Sequence, residues 1–225
     1  MDEKLTNTLS LTDLTLTLPA ASGPVEILRG INFEAKQGET VSIIGPSGSG
    51  KSSLISIGAG LERATSGTVE LLGTDLSGKS ENQLARLRRG RVSLVFQSFH
   101  LLPTMTALDN VRAALEISGQ DDVEERAKSA LAAVELSDRL THYPGQLSGG
   151  ERQRVAVARA IASDPELVFA DEPTGNLDTK TGEAVADLLF DICQRCGATL
   201  LLVTHDRELA KRASRTVEMR DGHLS

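Results

Sequence analysis

The chain has 225 residues, of which 40% are hydrophobic, enough for one compact domain with room for a lobe. Its net charge of −7 argues against nucleic acid as the main partner, because phosphate backbones bind clustered Lys and Arg. Residues 1–4 lack the basic-then-apolar pattern of a secretory signal, and no apolar run approaches the roughly 20 residues that cross a bilayer. We therefore expect a soluble chain that reaches a membrane only through a partner.

Strand and helix patterns alternate along the chain. Leucines alternate with threonines over 14–18, which predicts a half-buried strand; Ile31 and Phe33 belong to a second strand and residues 68–72 to a third. These three suggest an antiparallel layer. Residues 40–44, 91–96, 167–170 and 199–203 are apolar runs typical of buried parallel strands. The pattern predicts an α/β fold with a parallel core sheet and an antiparallel β layer.

Helical periodicity dominates residues 98–146. One face of a predicted helix there carries apolar residues at helical spacing: Val123, Ala127, Ala130, Leu131 and Val134. We interpret residues 98–146 as a helical lobe inserted in a single domain that spans 1–225.

The phosphate-loop pattern G-x-x-x-x-G-K-[ST] is present between a predicted strand and a predicted helix that starts near Ser53. In such a loop the glycines turn backbone N–H groups inward, and the helix adds its positive N-terminal end. Lys51 would reach the β- and γ-phosphates of a nucleotide, and the Ser52 hydroxyl would ligate Mg²⁺. The predicted nucleotide-binding residues are Gly45, Pro46, Ser47, Gly48, Ser49, Gly50, Lys51, Ser52 and Ser53.

Two carboxylates follow the apolar run at 167–170, at the carboxyl end of a predicted strand. Ligands of open α/β sheets bind at such ends. Asp171 would hold Mg²⁺, and Glu172 would polarise the attacking water as a general base. The alternative is a strand that ends in Asp-Glu without a catalytic role.

A second helix start suited to an anion lies at Ser148, Gly149, Gly150 and Glu151. The alternative is an ordinary helix start with Ser148 as N-cap, which would not call for paired glycines. Cys193 and Cys196 form C-x-x-C, a spacing found in redox and zinc sites. Since neither a second pair nor a nearby His accompanies them, we expect a reduced pair, buried or half-exposed, on a helix.

Together these segments resemble the ATP-binding cassette family. Residues 45–52, 97, 147–151, 167–172, 175–178 and 205 stand in the order and spacing of its motifs. The resemblance implies the P-loop NTPase fold of ABC nucleotide-binding domains, with ATP and Mg²⁺ as cofactors and ATP hydrolysis as the reaction. It also implies a head-to-tail homodimer, in which residues 147–151 of one subunit clasp the γ-phosphate held by the other.

The same resemblance implies further roles. Gln97 would sense Mg²⁺ and the lytic water and couple to a membrane partner, Asp178 would touch the opposite subunit, and His205 would contact the γ-phosphate. Residues 97–106 and 169–178 are similar to the branch that contains LolD, MacB, FtsE and YbbA-type cassettes, and the short chain fits the YbbA or LolD type best. This branch implies a permease with few transmembrane helices and a large periplasmic domain, and a place at the cytoplasmic face of the inner membrane.

This sequence departs from the pattern of many ATP-binding cassettes at the residues expected to contact the adenine. Many cassettes stack it on an aromatic residue ahead of the phosphate loop, whereas the first aromatic residue here is Phe33, inside a predicted strand. We therefore expect an aliphatic contact from Val25, with Leu18 next.

Residues 98–110 are predicted to dock the permease, because they follow Gln97 and carry a dense set of apolar residues: Phe99, Leu101, Leu102, Pro103 and Met105. The alternative is packing within the helical lobe.

Three functions fit these motifs. The chain is the ATPase subunit of an exporter of the lipoprotein-release or MacB type, an FtsE-like regulatory subunit that transports nothing, or a DNA-repair ATPase. The acidic charge disfavours the third.

Overall fold

The structure is a computed structural model that describes residues 7–21 and 23–225. Residues 1–4, on which the expectation about a secretory signal rests, lie outside the described residues, as does residue 22. Within the described ranges, no helix is both long and apolar enough to cross a membrane.

The strands, in chain order, are β1 (Asn7–Leu18), β2 (Val25–Lys36), β3 (Thr40–Ile44), β4 (Ser66–Leu71), β5 (Thr74–Asp75), β6 (Val92–Phe96), β7 (Leu167–Asp171), β8 (Thr199–Thr204), β9 (Arg215–Arg220) and β10 (His223–Leu224). The α-helices are α1 (Lys51–Gly58), α2 (Glu81–Arg88), α3 (Ala107–Ser118), α4 (Val123–Ala133), α5 (Gly149–Ile161), α6 (Thr179–Cys196) and α7 (Arg207–Ala210). Short 3-10 helices lie at Ser137–Arg139 and Pro144–Gln146. The described residues form two compact units: the first runs to Arg88 and resumes over Thr199–Ser225, and the second is Arg89–Ala198.

The first unit contains an antiparallel sheet in the order β2-β1-β4-β5. Its inner face follows the predicted alternation, since Leu14 and Leu16 are buried while Thr15 and Thr17 are not. In the same unit β3 pairs in parallel with β8 and with β9, and β10 returns antiparallel to β9. Every residue of β8 is buried, as its apolar run predicts.

The second unit contains β6 and β7, which pair in parallel from Val92 and Leu167 to Phe96 and Asp171. The predicted apolar face of α4 is buried at Ala127, Ala130 and Leu131. Residues 98–146 all lie in this unit; that they form a distinct lobe remains a prediction.

The predicted fold class is confirmed, and the differences lie at element ends. The helix after the phosphate loop starts at Lys51 instead of Ser53. The strand predicted over 68–72 ends at Leu71, because Leu72 adopts a left-handed φ of 50°. The last residues of the predicted docking loop, 107–110, belong to α3.

Candidate nucleotide-binding site

The phosphate loop connects β3 to α1, and two of its glycines are required by close approaches. Gly50 has a φ of 105° and caps α1. A Cβ at Gly50 would lie 2.9 Å from the Ile27 carbonyl oxygen, and one at Gly45 would lie 2.0 Å from the Met219 carbonyl oxygen. Larger residues at these two positions therefore cannot hold the loop in this shape. In this shape the first backbone N–H groups of α1 are available as donors, because they have no partner within the helix.

Lys51 is buried, with 8% of its surface exposed. Its Nζ donates to the carbonyl oxygens of Gly45 at 2.9 Å and Pro46 at 2.8 Å. The charged end of the side chain thus lies at the loop, and not in solvent. Ser52, one residue further on, is exposed.

His205 and the phosphate loop both begin at the carboxyl ends of neighbouring strands. Thr204 ends β8 and pairs with Ile44, which ends β3, so His205 and Gly45 are the next residues of two adjacent parallel strands. Asp206 fixes this turn by accepting two backbone N–H groups at the start of α7. The His205 side chain is exposed.

The two predicted adenine contacts are cross-strand neighbours. Leu18 and Val25 pair at the end of the β1–β2 ladder. They are 39% and 42% exposed, so both present apolar surface. Val25 also lies on β2 two residues before Ile27, whose carbonyl oxygen approaches Gly50 of the phosphate loop.

In the second unit, Asp171 and Gln97 come from adjacent strand ends. Asp171 pairs with Phe96 at the end of the parallel β6–β7 ladder, and Gln97 follows Phe96 directly. Asp171 Oδ1 is buried and has no hydrogen-bond partner among the residues described. Glu172 is half-buried and has a left-handed φ of 48°, so the chain turns sharply after the strand.

Gln97 is held by Asn176, for which the sequence analysis predicted no individual role. Its Nε2 donates to Asn176 Oδ1 at 3.1 Å, and Asn176 Nδ2 donates to the Gln97 main-chain oxygen at 2.9 Å. Asn176 stands within the 175–178 motif, and only side-chain geometry identifies its partner.

Ser148 is the N-cap of α5 and forms a capping box with Glu151. The Ser148 N–H donates to Glu151 Oε2 at 2.8 Å, and Arg139 Nε donates to Oε1 at 2.9 Å. The backbone hydrogen bond from Ser148, and then the Arg139 guanidinium, lower the pKa of Glu151.

The paired glycines also have a reason within the chain, contrary to the expectation that a plain helix start would not call for them. A Cβ at Gly150 would lie 2.3 Å from Thr181 Cγ2 on α6, and one at Gly149 would lie 3.3 Å from Leu177 Cδ2. Close packing of α5 against α6 thus requires a glycine at 150. The pair of glycines alone does not identify an anion site.

Asp178, predicted to touch a second subunit, caps α6 in its own chain by accepting from the Thr181 N–H at 3.1 Å. Hydrogen bonds from the Thr181 side chain and then its N–H lower the pKa of Asp178. The Asp178 side chain is exposed.

Residues 98–106 are held from two sides. Arg159 of α5 donates to the carbonyl oxygens of Phe99 at 2.9 Å and His100 at 2.6 Å, and both of these residues have left-handed φ values. Asn110, which is 1% exposed, accepts from the Leu102 N–H and donates to three carbonyl oxygens of the loop. No local sequence motif marks either contact.

The two cysteines lie on α6, as the prediction of a helical pair requires. Cys193 is buried, Cys196 is exposed, and both are free. Burial, and then the neighbouring Cys196, raise the pKa of Cys193 to about 12, so its thiol stays protonated near neutral pH.

The donor atoms fit Mg²⁺, which prefers oxygen ligands and is commonly bound by one or two carboxylates together with phosphates. Asp171 offers a buried oxygen without a hydrogen-bond partner in the described ranges, and Ser52 offers an exposed hydroxyl. Two features define a P-loop nucleotide-binding protein. One is the strand, phosphate loop and helix with parallel neighbouring strands, and the other is a second parallel strand pair that ends in Asp-Glu.

The family model for the ABC transporter matches residues 28–175, and the chain belongs to this family. It is an ABC-type ATPase, which converts ATP and water to ADP and phosphate. The chain is 48% identical over 202 residues to the ABC transporter ATP-binding protein YbbA of Escherichia coli, with 89% of each chain covered. It is 45% identical over 218 residues to the lipoprotein-releasing system ATP-binding protein LolD 2 of Caulobacter vibrioides, with 96% of each covered.

Two solved structures of the cassette MJ0796 share the fold. A dimeric structure bound to ADP and Pi has a TM-score of 0.89 at 37% identity, and covers 96% of both chains. A second dimeric structure has a TM-score of 0.90 at the same identity and coverage.

Proposed function

We propose that the chain is the ATP-hydrolysing subunit of a transporter of the lipoprotein-release or MacB-like export type. Its similarity to LolD proteins along nearly their whole length is the observation that carries this proposal. In this proposal the chain acts as a homodimer at the cytoplasmic face of the inner membrane. It is held there by a permease with few transmembrane helices and a large periplasmic domain.

The phosphate loop binds the triphosphate through the backbone N–H groups at the start of α1. Lys51 exchanges its two carbonyl partners for the β- and γ-phosphates. This exchange is favourable because a charge-assisted hydrogen bond to phosphate is stronger than one to a neutral carbonyl. His205, which leaves the sheet beside Gly45, contacts the γ-phosphate. Ser52 supplies a hydroxyl ligand for Mg²⁺.

Asp171 and Gln97, at adjacent strand ends, would supply oxygen ligands for Mg²⁺. Mg²⁺ bound there would supply positive charge that offsets the charge of the phosphates. Glu172, the residue after Asp171, accepts a proton from the attacking water as general base.

A second copy of the chain contributes the remaining groups. Ser148, Gly149, Gly150 and Glu151 of one subunit face the γ-phosphate bound by the other, at the N-terminus of α5. The capping box leaves the first N–H groups of α5 available, because Ser148 engages only that of Glu151. Asp178 lies in the loop that touches the opposite subunit.

The adenine rests on the aliphatic pair of Val25 and Leu18. Residues 98–110 dock the permease, with Leu102 as an outward apolar side chain at 47% exposure. Asn110 and Arg159 hold this segment next to Gln97. A conformational change of Gln97 on nucleotide binding or hydrolysis is therefore transmitted to the docking surface.

Co-purification from detergent-solubilised membranes tests the proposal. The expected partner is an integral membrane protein with few transmembrane helices and a large periplasmic domain that moves a lipoprotein or a hydrophobic compound. A partner that only regulates cell-wall enzymes would replace this proposal with the FtsE-like function. A partner with many transmembrane helices would contradict the assignment to this branch.

A further inference from the structure

The contact between Gln97 and Asn176 fixes the orientation of two side-chain amides. A main-chain carbonyl only accepts, so the group of Asn176 that meets the Gln97 oxygen at 2.9 Å is its NH₂. Asn176 Oδ1 therefore faces the glutamine side chain. Of the two ends of the Gln97 side-chain amide, only the NH₂ group can donate to Asn176 Oδ1, and it does so at 3.1 Å. Oε1 is then the atom of the Gln97 amide that remains to bind a cation or a water.

Gly175 makes room for this arrangement. A Cβ at residue 175 would lie 2.8 Å from Gln97 Nε2 and 3.1 Å from its Cδ. Gly175 does not have a left-handed φ, so its backbone conformation accepts other residues. A Cβ at residue 175 would instead displace the Gln97 amide, which is the far end of a flexible side chain.

The pairing also joins two strand ends that carry chemistry. Gln97 follows Phe96, the register partner of Asp171, and Asn176 lies in the turn after Glu172. That turn is closed by the Gly175 N–H, which donates to the Glu172 carbonyl oxygen at 3.0 Å. The orientation of the Gln97 amide is therefore set by the segment that follows the two carboxylates.

We propose that Asn176 is a positioning residue, which turns the Gln97 amide so that Oε1, and not Nε2, is available to Mg²⁺. The inference rests on the proposed function, in which Gln97 is a ligand of that ion. Asn176 acts as outer-shell partners of metal ligands do, because it selects the donor atom and restricts the side chain before the ion arrives.

The first test is the Mg²⁺ dependence of ATP hydrolysis. Asn176→Ala removes both hydrogen bonds, so the half-saturating Mg²⁺ concentration should rise about 10-fold, the low end for losing such a partner. The rate at saturating Mg²⁺ should be largely retained. Gly175→Ala should act in the same direction, because it displaces the amide while Asn176 remains. Asn82→Ala, the same change at an exposed asparagine of α2, is the matched control.

The second test needs no turnover. In the nucleotide-free protein, the side-chain ¹⁵NH₂ signals of Gln97 are assigned by their loss in Gln97→Ala. Asn176→Ala should move these signals and speed their hydrogen exchange, whereas Asn82→Ala should leave them in place. Signals that stay put in Asn176→Ala would overturn the pairing itself.

The remaining outcomes separate the inference from the proposed function. If the Gln97 signals move but the Mg²⁺ requirement does not, the positioning role is wrong. If Asn176→Ala shifts the Mg²⁺ requirement further in a Gln97→Ala background, Asn176 does not act through Gln97, and the inference fails. If Gln97→Ala alone leaves the Mg²⁺ requirement unchanged, the assignment of Gln97 as a ligand fails, and the inference fails with it.

Discussion

Gly150→Ala separates packing within the chain from contact with a second subunit. The added Cβ would lie 2.3 Å from Thr181 Cγ2, whereas real Cβ contacts essentially never fall under 3.0 Å. Overpacking of this kind typically costs about 1–3 kcal/mol. Part of that cost is offset, since alanine is favoured over glycine in helices by up to about 1 kcal/mol. We expect a net loss of about 1–2 kcal/mol, or roughly 2–8 °C in Tm for a chain of this size.

Thermal and urea unfolding followed by circular dichroism measure this loss. Gly145→Ala is the matched control, because no atom lies within 4 Å of a Cβ built there. The double variant Gly150→Ala with Thr181→Ser removes the methyl group that the new Cβ would strike. Since that Cβ points at Thr181, the double variant should recover the stability lost in Gly150→Ala. It should also hydrolyse ATP at the wild-type rate.

Two results would refute this reasoning. A Gly150→Ala variant as stable as the wild type would mean that Thr181 turns away at no cost. A double variant that is stable but inactive would mean that Gly150 is needed for something other than packing on α6. Approach to the other subunit's nucleotide would then be the leading explanation.

Three further predictions test the proposed roles. Ser148→Arg should abolish hydrolysis while the monomer still binds ATP, and mixing it with Lys51→Ala should leave at most one working site per dimer; equal loss of ATP binding by the monomer would show that Ser148 acts within its own chain. Leu102→Glu should abolish membrane recruitment without lowering Tm, whereas Leu61→Glu, a change at a residue with 48% exposure, should not affect recruitment; unfolding of the Leu102 variant would favour packing within the lobe. Val25→Tyr should tighten ATP binding, because stacking on a base is worth about 1–3 kcal/mol, and a wild-type preference for ATP over GTP above about 30-fold, roughly 2 kcal/mol, would mean that another group recognises the adenine.

The sequence predicted the features that depend on local pattern. The apolar run at 199–203 became a fully buried strand because a parallel strand has neighbours on both faces. The phosphate loop connects β3 to α1, as the pattern of glycines between an apolar run and a predicted helix indicated. Ser148 became the N-cap of α5, the alternative interpretation of that segment, because short polar residues ahead of a helix favour this position.

Contacts between distant residues were not predictable in this way. Asn176 meets Gln97 across 79 positions, and Arg159 holds the Phe99 carbonyl oxygen from 60 positions away. Such pairs depend on side-chain geometry in the folded chain and have no periodicity of their own. Gly150 shows a related limit, because its close approach to Thr181 on α6 gives this glycine a packing reason that no local pattern reveals.

The most direct test of the central claim is the rate of ATP hydrolysis by Glu172→Gln, measured with ATP binding on the same protein. Loss of a general base should lower turnover by about 10²–10⁴-fold while ATP binding is kept, and it should trap an ATP-bound dimer. Glu183→Gln, the same change at an exposed glutamate of α6, should hydrolyse ATP normally. Hydrolysis by Glu172→Gln at the wild-type rate would contradict the mechanism.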